Sequence, residues 1–138
     1  LFNTTTERCR EVLPLVKQSF IKNCPKTFKY LQEDIDNKLL KSATISRLSP
    51  GSVINPHNGD IDSLRIHFPV ITDPSAWIKV RGRRRVWNVG EVFAFKDHDK
   101  HWVKHEGTHD RIIVILDYSI EQLSKYGINL EEWEEDAI

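Results

Sequence analysis

A mainly β fold, a jelly roll of about eight strands with helices packed outside it, is what this sequence predicts. Three observations carry the prediction. Hydrophobic periodicity changes from helical to alternating near Lys41. Beyond that point Gly, Pro, Asn and Asp recur between short apolar runs. The length, 138 residues, suits a single domain with one core.

Residues 4–40 read as helical. Thr4, Thr5 or Thr6 can cap a first helix, with Glu7 close behind. Val12, Leu15, Val16, Ser19 and Phe20 fall at helical spacing, interrupted by Pro14. Asn23-Cys24-Pro25 marks a break, and Pro25 suits the start of a short second helix over 26–33, with Phe28 and Leu31 facing inward. Two amphipathic helices covering one side of a sheet explain this region without any catalytic role. The β core follows over 41–118, with strands expected at 43–48, 52–55, 63–71, 77–81, 85–88, 91–95, 101–104 and 111–117. The basic run Arg81-Gly82-Arg83-Arg84-Arg85 reads first as a solvated hairpin turn and second as a contact for an anionic substrate group or acidic peptide. In the tail, 119–138, Ile120, Leu123 and Tyr126 suggest a short C-terminal helix ending near Gly127, and the acidic stretch 131–136 a solvated end.

Bulk properties remove several function classes. Lys plus Arg equals Asp plus Glu at 20 each, so the electrostatic footprint of a general nucleic-acid binder is missing. No apolar run approaches the roughly 20 residues that span a bilayer. The chain opens at Leu1 and holds no Met, which suits an excised domain or a processed product. Cys9 and Cys24 make neither a disulfide framework nor a zinc site, and free buried thiols are expected.

The chemistry-bearing residues are His, Arg and Ser. Six His occur, at 57, 67, 98, 101, 105 and 109, and imidazole is a common ligand for iron, zinc and copper. A His-x-Asp or His-x-Glu pair would announce a two-His, one-carboxylate iron site; after His57 the corresponding residue is Gly59. Asp60 is one position too far along to replace it. Arg65 and His67 share one strand face, opposite Leu64, Ile66 and Phe68, so the inner face of that strand is basic and suits an anion. Arg111 opens the apolar run Ile112 to Leu116, where a charge has to be paired or exposed; a surface Arg is the ordinary reading.

Together these residues form an ordered pattern. Ser46, Leu48, Pro50, Gly51, Ile54, Pro56, His57, Gly59, Leu64, Arg65 and His67 are followed by Trp87, Gly90, Glu91, Phe95, Asp97, His101, Val103 and Arg111. Over residues 23–117 the pattern resembles the aspartyl/asparaginyl β-hydroxylase family of iron(II)- and 2-oxoglutarate-dependent oxygenases. The resemblance implies a double-stranded β-helix of the cupin-like kind. It implies Fe(2+) held by His57 and His101 with no protein carboxylate, since His-x-Gly is also the family's pattern. It implies 2-oxoglutarate as co-substrate, bound by Ser46, Arg65, His67 and Arg111. Among the four His of the 98–109 region, the pattern selects His101 and leaves His98, His105 and His109 as loop or rim residues. The activity implied is hydroxylation of an unactivated carbon, most directly the β-carbon of an Asp or Asn residue.

Departures from the family pattern flank the site: Lys96 before Asp97, Trp102 after His101, and Lys104 two further on. They leave open a peptide, amino-acid or lipid substrate. Two rival classes stand beside the oxygenase. One is a cupin-like module that binds a metal or small anion without turnover; the other is a zinc-dependent hydrolase using the same His residues. A hydrolase ordinarily needs three protein ligands and a positioned base, and no His-Glu-x-x-His run is present.

Overall fold

The computed structural model describes Lys22 and residues 24–133. A helix, α1 (Pro25–Asp36), leads into eight strands: β1 (Leu40–Leu48), β2 (Val53–His57), β3 (Ser63–Ile71), β4 (Ala76–Val80), β5 (Arg83–Val86), β6 (Phe93–Lys96), β7 (His101–His105) and β8 (Arg111–Ser119). A short helix, α2 (Ile120–Lys125), and a 3-10 turn over Leu130–Trp133 follow. The strands form two antiparallel sheets in the orders β1-β8-β3-β6 and β2-β7-β4-β5. Both sheets contribute to one buried cluster: Leu48, Phe93, Phe95 and Ile113 from the first, Ala76, Ile78, Val80 and Val103 from the second. The chain alternates between two sheets packed face to face, which is the jelly roll that the turn spacing predicts.

All eight expected strands are present, with ends shifted by up to three residues. β8 reads as a nearly unbroken apolar run because it is central and covered on both faces. Its Ile113 and Ile115 pack into the inter-sheet core, while Val114, Leu116 and Tyr118 pack beneath α1. The second expected helix is there and is longer than 26–33. Pro25 occupies its first turn, Leu31 and Ile35 are buried against Leu40 and Ala43, and Phe28 is partly buried. The Tyr118 hydroxyl donates to Asp34 at 2.6 Å and pins the helix to the sheet. The helical segment ends at Asp36 rather than at residue 40, and β1 begins at Leu40. The first expected helix and Cys9 lie outside the described residues. Cys24 is a free thiol, half-buried rather than fully buried.

At the far end, Ser119 caps α2 by accepting from Gln122 N at 3.2 Å, and Leu123 packs on Leu64 and Leu130. Tyr126 is exposed and lies just past the helix, before Gly127 turns the chain with φ of 82°.

Asp73 organises the loops at the end of the barrel away from His101. Its carboxylate accepts from Ser75 N at 2.8 Å and Thr108 N at 2.9 Å, and Gly107 approaches it so closely that a Cβ there would overlap it. These backbone donors hold its pKa down to about 2, from an ordinary 3.8. The depressed value stabilises the fold above the ordinary carboxylate pKa, and that contribution fades as pH falls from about 4 towards 2. Asp73→Asn should therefore show a stability deficit that is constant near neutral pH and shrinks through that acid window, measured by urea unfolding at a series of pH values. Ile113 is fully buried in the inter-sheet core. Ile113→Ala should cost about 2–5 kcal/mol in the same assay at neutral pH.

Candidate functional site

An irregularity in β2 brings His57, which stays exposed, to the inner side of its sheet beside His101. Ile54 opposes the core residue Val103 and so lies on the inner side of its sheet, although it is itself exposed; a residue three further along a regular strand would point to the other side. An extra residue between Ile54 and His57 shifts the register, so that His57 opposes His101. Pro56 sits in that irregularity, on an edge strand that can spare its missing N–H.

The two imidazoles meet edge to face, with centroids 4.2 Å apart. Each is oriented by a backbone carbonyl two residues upstream: His57 Nδ1 lies 2.8 Å from Asn55 O, and His101 Nδ1 lies 2.6 Å from Asp99 O. Nδ1 therefore carries the hydrogen in both, and both Nε2 lone pairs are available to a ligand. Burial, with the neighbouring His57 adding to it, lowers the pKa of His101, which favours the neutral imidazole that binds metals at that position. Among the described residues, no three His, Cys, Asp or Glu side chains converge as a ligand set.

Asp97 completes this end of the barrel. Its backbone carbonyl accepts from Gly59 N at 2.8 Å, and its Oδ2 accepts from Asp60 N at 2.9 Å. Its Oδ1 lies 3.1 Å from Arg65 Nη1 and 3.7 Å from His101 Nε2. A Cβ on Gly59 would overlap the Asp97 carboxylate, so residue 59 can carry no side chain while Asp97 stands there. Asp97 had a place in the sequence pattern but no role. Its usable signal was the pairing of a Gly after His57 with a carboxylate four residues before His101. Asp60, beside it, is taken up by Lys41 Nζ at 2.5 Å and Ser63 Oγ at 3.2 Å.

Deeper in the barrel lies a second group of polar residues. Arg111 is only 2 % exposed, opens β8, and stacks 4.5 Å over Trp87. Its Nη2 donates to Ser46 Oγ at 2.8 Å, and its Nε has no hydrogen-bond partner among the described residues. Burial pushes its pKa down to about 10, with no carboxylate among the described residues to oppose the shift. Trp87 Nε1 donates to His67 Nδ1 at 3.0 Å, so the His67 hydrogen is on Nε2, which is buried and has no partner among the described residues. Burial, then the charges of Arg65 and Arg111, keep His67 well below its ordinary pKa and neutral. Ring contacts link the two groups: Phe95 lies 5.1 Å from His101 and 5.2 Å from His67.

Ser46, His67 and Arg111 are thus brought together, and His57 and His101 are brought together beside them. Arg65 shares the inner face of β3 with His67, but its charge is already balanced. It grips Asp117 with Nε at 2.8 Å and Nη2 at 3.1 Å, and it also contacts Asp97. Although burial opposes it, the hydrogen bonds and charge of Asp117, aided by Asp97, raise its pKa. His98 lies in the loop by the site, 3.1 Å from Gly59 O, and His109 lies in a loop beside Thr72. His105 corrects an expectation: it is no loop or rim residue but the buried end of β7, bonded to His109 O at 2.7 Å and Gly107 N at 3.0 Å.

The fold defines the class first. Two solved structures share the barrel: a predicted oxalate decarboxylase of Thermotoga maritima, with TM-score 0.52 and 17% identity over 64% of this chain and 74% of that one, and KdgF of a Halomonas species, with TM-score 0.50 and 20% identity over 59% and 70%. At such identities the likeness shows the fold, a cupin-like jelly roll. The sequence is more specific: residues 15–120 match the family model described as aspartyl/asparaginyl beta-hydroxylase, and the chain belongs to that family. It is 31% identical over 103 residues to the aspartate beta-hydroxylase domain-containing protein 2 of mouse, covering 70% of this chain and 30% of that protein. The human protein of the same name gives the same identity and covers 28% of its length. The chain thus spans less than a third of the curated relatives it matches.

The close approach of Gly59 and Asp97 can be tested as a pair. Gly59→Ala should destabilise the fold by about 1–3 kcal/mol through overpacking. In a background of Asp97→Ala the same change should cost much less, since the clashing carboxylate is gone. A double-mutant cycle by denaturant unfolding reads the coupling.

Proposed function

We propose that this domain is an iron(II)- and 2-oxoglutarate-dependent dioxygenase that hydroxylates an unactivated carbon, with the β-carbon of an Asp or Asn residue as the position that family membership favours. The observation that carries the reading is Arg111. A guanidinium buried without a counter-ion is costly. Its Nε, the His67 Nε2–H and the Ser46 hydroxyl are buried or half-buried donors that fit one carboxylate of a small dianion. A generic metal-binding barrel needs the two His but has no use for these donors.

His57 and His101 would hold the iron through their Nε2 atoms, and the adjacent Asp97 carboxylate favours a cation there. Bound iron(II) supplies dioxygen activation coupled to oxidative decarboxylation of 2-oxoglutarate to succinate. The chain's own residues position and protect. Ser46, His67 and Arg111 orient the co-substrate. Trp87, Phe93 and Phe95 wall the interior and limit water. Arg65 stands on the same inner face and holds Asp97 and Asp117 in place. The rival zinc hydrolase would want three converging protein ligands, and the described residues bring together two His.

Arg111→Ala should weaken 2-oxoglutarate binding by about 30- to several-thousand-fold, the loss expected for one buried charge-assisted contact, while metal binding persists. Arg111→Lys should recover only part of it, lacking the bidentate fork. His57→Ala should lose metal first. Anaerobic calorimetric titration of metal and then 2-oxoglutarate into each variant separates these outcomes. Unchanged 2-oxoglutarate affinity in Arg111→Ala removes the co-substrate assignment and favours a non-catalytic binding module. Succinate formation by the parent protein distinguishes turnover from binding.

A further inference from the structure

The run Arg83-Arg84-Arg85 is divided by the pleat of β5. Arg84 opposes Lys79 and stacks 4.6 Å over Trp77, on the outer side of its sheet. Arg83 opposes Val80 and Arg85 opposes Ile78, both core residues, so these two Arg lie on the inner face. The turn enforces that division. Arg81 and Gly82 form a two-residue connection with φ of 51° and 80°, the tight kind that fixes hairpin register. Arg81 N also donates to Lys100 O at 3.0 Å, tying the hairpin to the residue just before His101.

Strand pairing then relates the basic residues to the site. His57 opposes His101, His101 opposes Val80, and Val80 opposes Arg83, so one row runs across the inner face of the sheet. Arg83 stands two strands from His101, about 10 Å along that row at the usual strand spacing. Arg85 is half-buried, stacks 4.5 Å over Phe93, and forms no ion pair among the described residues. Phe93 in turn lies 5.2 Å from His67. An edge strand can carry charge merely to discourage pairing with another chain, but Arg84, facing outward, already meets that need.

We propose that Arg85, with Arg83 beside it, holds carboxylates of an acidic peptide substrate at the mouth of the barrel, apart from the residue that reacts. Two Arg two residues apart recur about every 6.6 Å, the period at which an extended peptide presents alternate side chains. That match favours a peptide over a lipid headgroup. The assignment rests on the dioxygenase reading of the His57–His101 site and specifies its substrate.

The test uses fluorescein-labelled peptides with one Asp followed by Glu-Gly-Glu, the same peptide with Gln for both Glu, and phosphatidylglycerol vesicles. Binding is read by anisotropy, or by co-sedimentation for the vesicles, on protein loaded anaerobically with Mn(II) and 2-oxoglutarate. The Glu peptide should bind about 10- to 100-fold tighter than the Gln peptide, as for hydrogen bonds to charged groups. The double change Arg83→Gln, Arg85→Gln should erase that preference and leave 2-oxoglutarate affinity unchanged, and Arg85→Lys should retain part of it. Equal binding of the two peptides overturns the proposal, as does vesicle binding without peptide binding. A loss of 2-oxoglutarate affinity in Arg85→Gln with the peptide preference intact overturns it too, and moves Arg85 into the co-substrate pocket. Self-association of the double variant with unchanged preference assigns the pair to edge protection instead. If the parent protein binds no 2-oxoglutarate, the dioxygenase reading falls, and the Glu-versus-Gln preference of the same protein still decides the role of Arg85.

Discussion

A guanidinium inside an apolar barrel, with no carboxylate beside it among the described residues, constrains most of this structure. Removing a charge from water costs several kcal/mol even after relaxation, and the depressed pKa of Arg111 records that cost. The protein offsets only part of it. Trp87 offers its ring face and Ser46 one oxygen. Trp87 also directs its own N–H at His67, which leaves the buried Nε2–H of that imidazole as a donor. Such an arrangement persists because Arg111 and His67 sit on β8 and β3, two central strands with neighbours on both sides, while Ser46 comes from the neighbouring β1 and Trp87 from just past β5. A loop would let the guanidinium swing out to water.

Arg65 shows how the same residue type acquires a different role from its neighbours. It lies on the inner face as well, yet Asp117 and Asp97 neutralise it, and Ser42 supports Asp117 at 2.8 Å. Its contribution is rigidity: it fixes a carboxylate beside His101 and Gly59. The absent side chain of Gly59 and the position of Asp97 are one feature, because one exists only if the other does. Asp73 and Gly107 repeat the arrangement at the other end of the barrel, where the result is closure of loops rather than a site.

Much of the fold could be read along the chain. Period-two alternation and turn residues located all eight strands, since each is a local signal that tertiary contacts reinforce. The helix over Pro25–Asp36 announced itself by Pro25 and the spacing of Phe28 and Leu31. The errors fell at element ends and in burial. The helix-to-strand change came at Leu40, where packing under α1 extends β1. His105 looked like a loop residue because nothing local shows that a strand end will be buried by loops that return from elsewhere.

For the site, the sequence by itself determined which residue types stand at which spacing: His57 before Gly59, Arg65 before His67, and Arg111 ten residues after His101. Only the tertiary structure decided how charge is shared among them. Which Arg finds a carboxylate depends on strand pairs such as Arg65 with Asp117, 52 residues apart. The inward turn of His57 depends on a register shift against β7, 44 residues along the chain. The division of Arg83 and Arg85 from Arg84 depends on which side of β4 faces the core. Electrostatics in a folded chain is set by distances and burial through space, and neither quantity is a function of separation along the sequence.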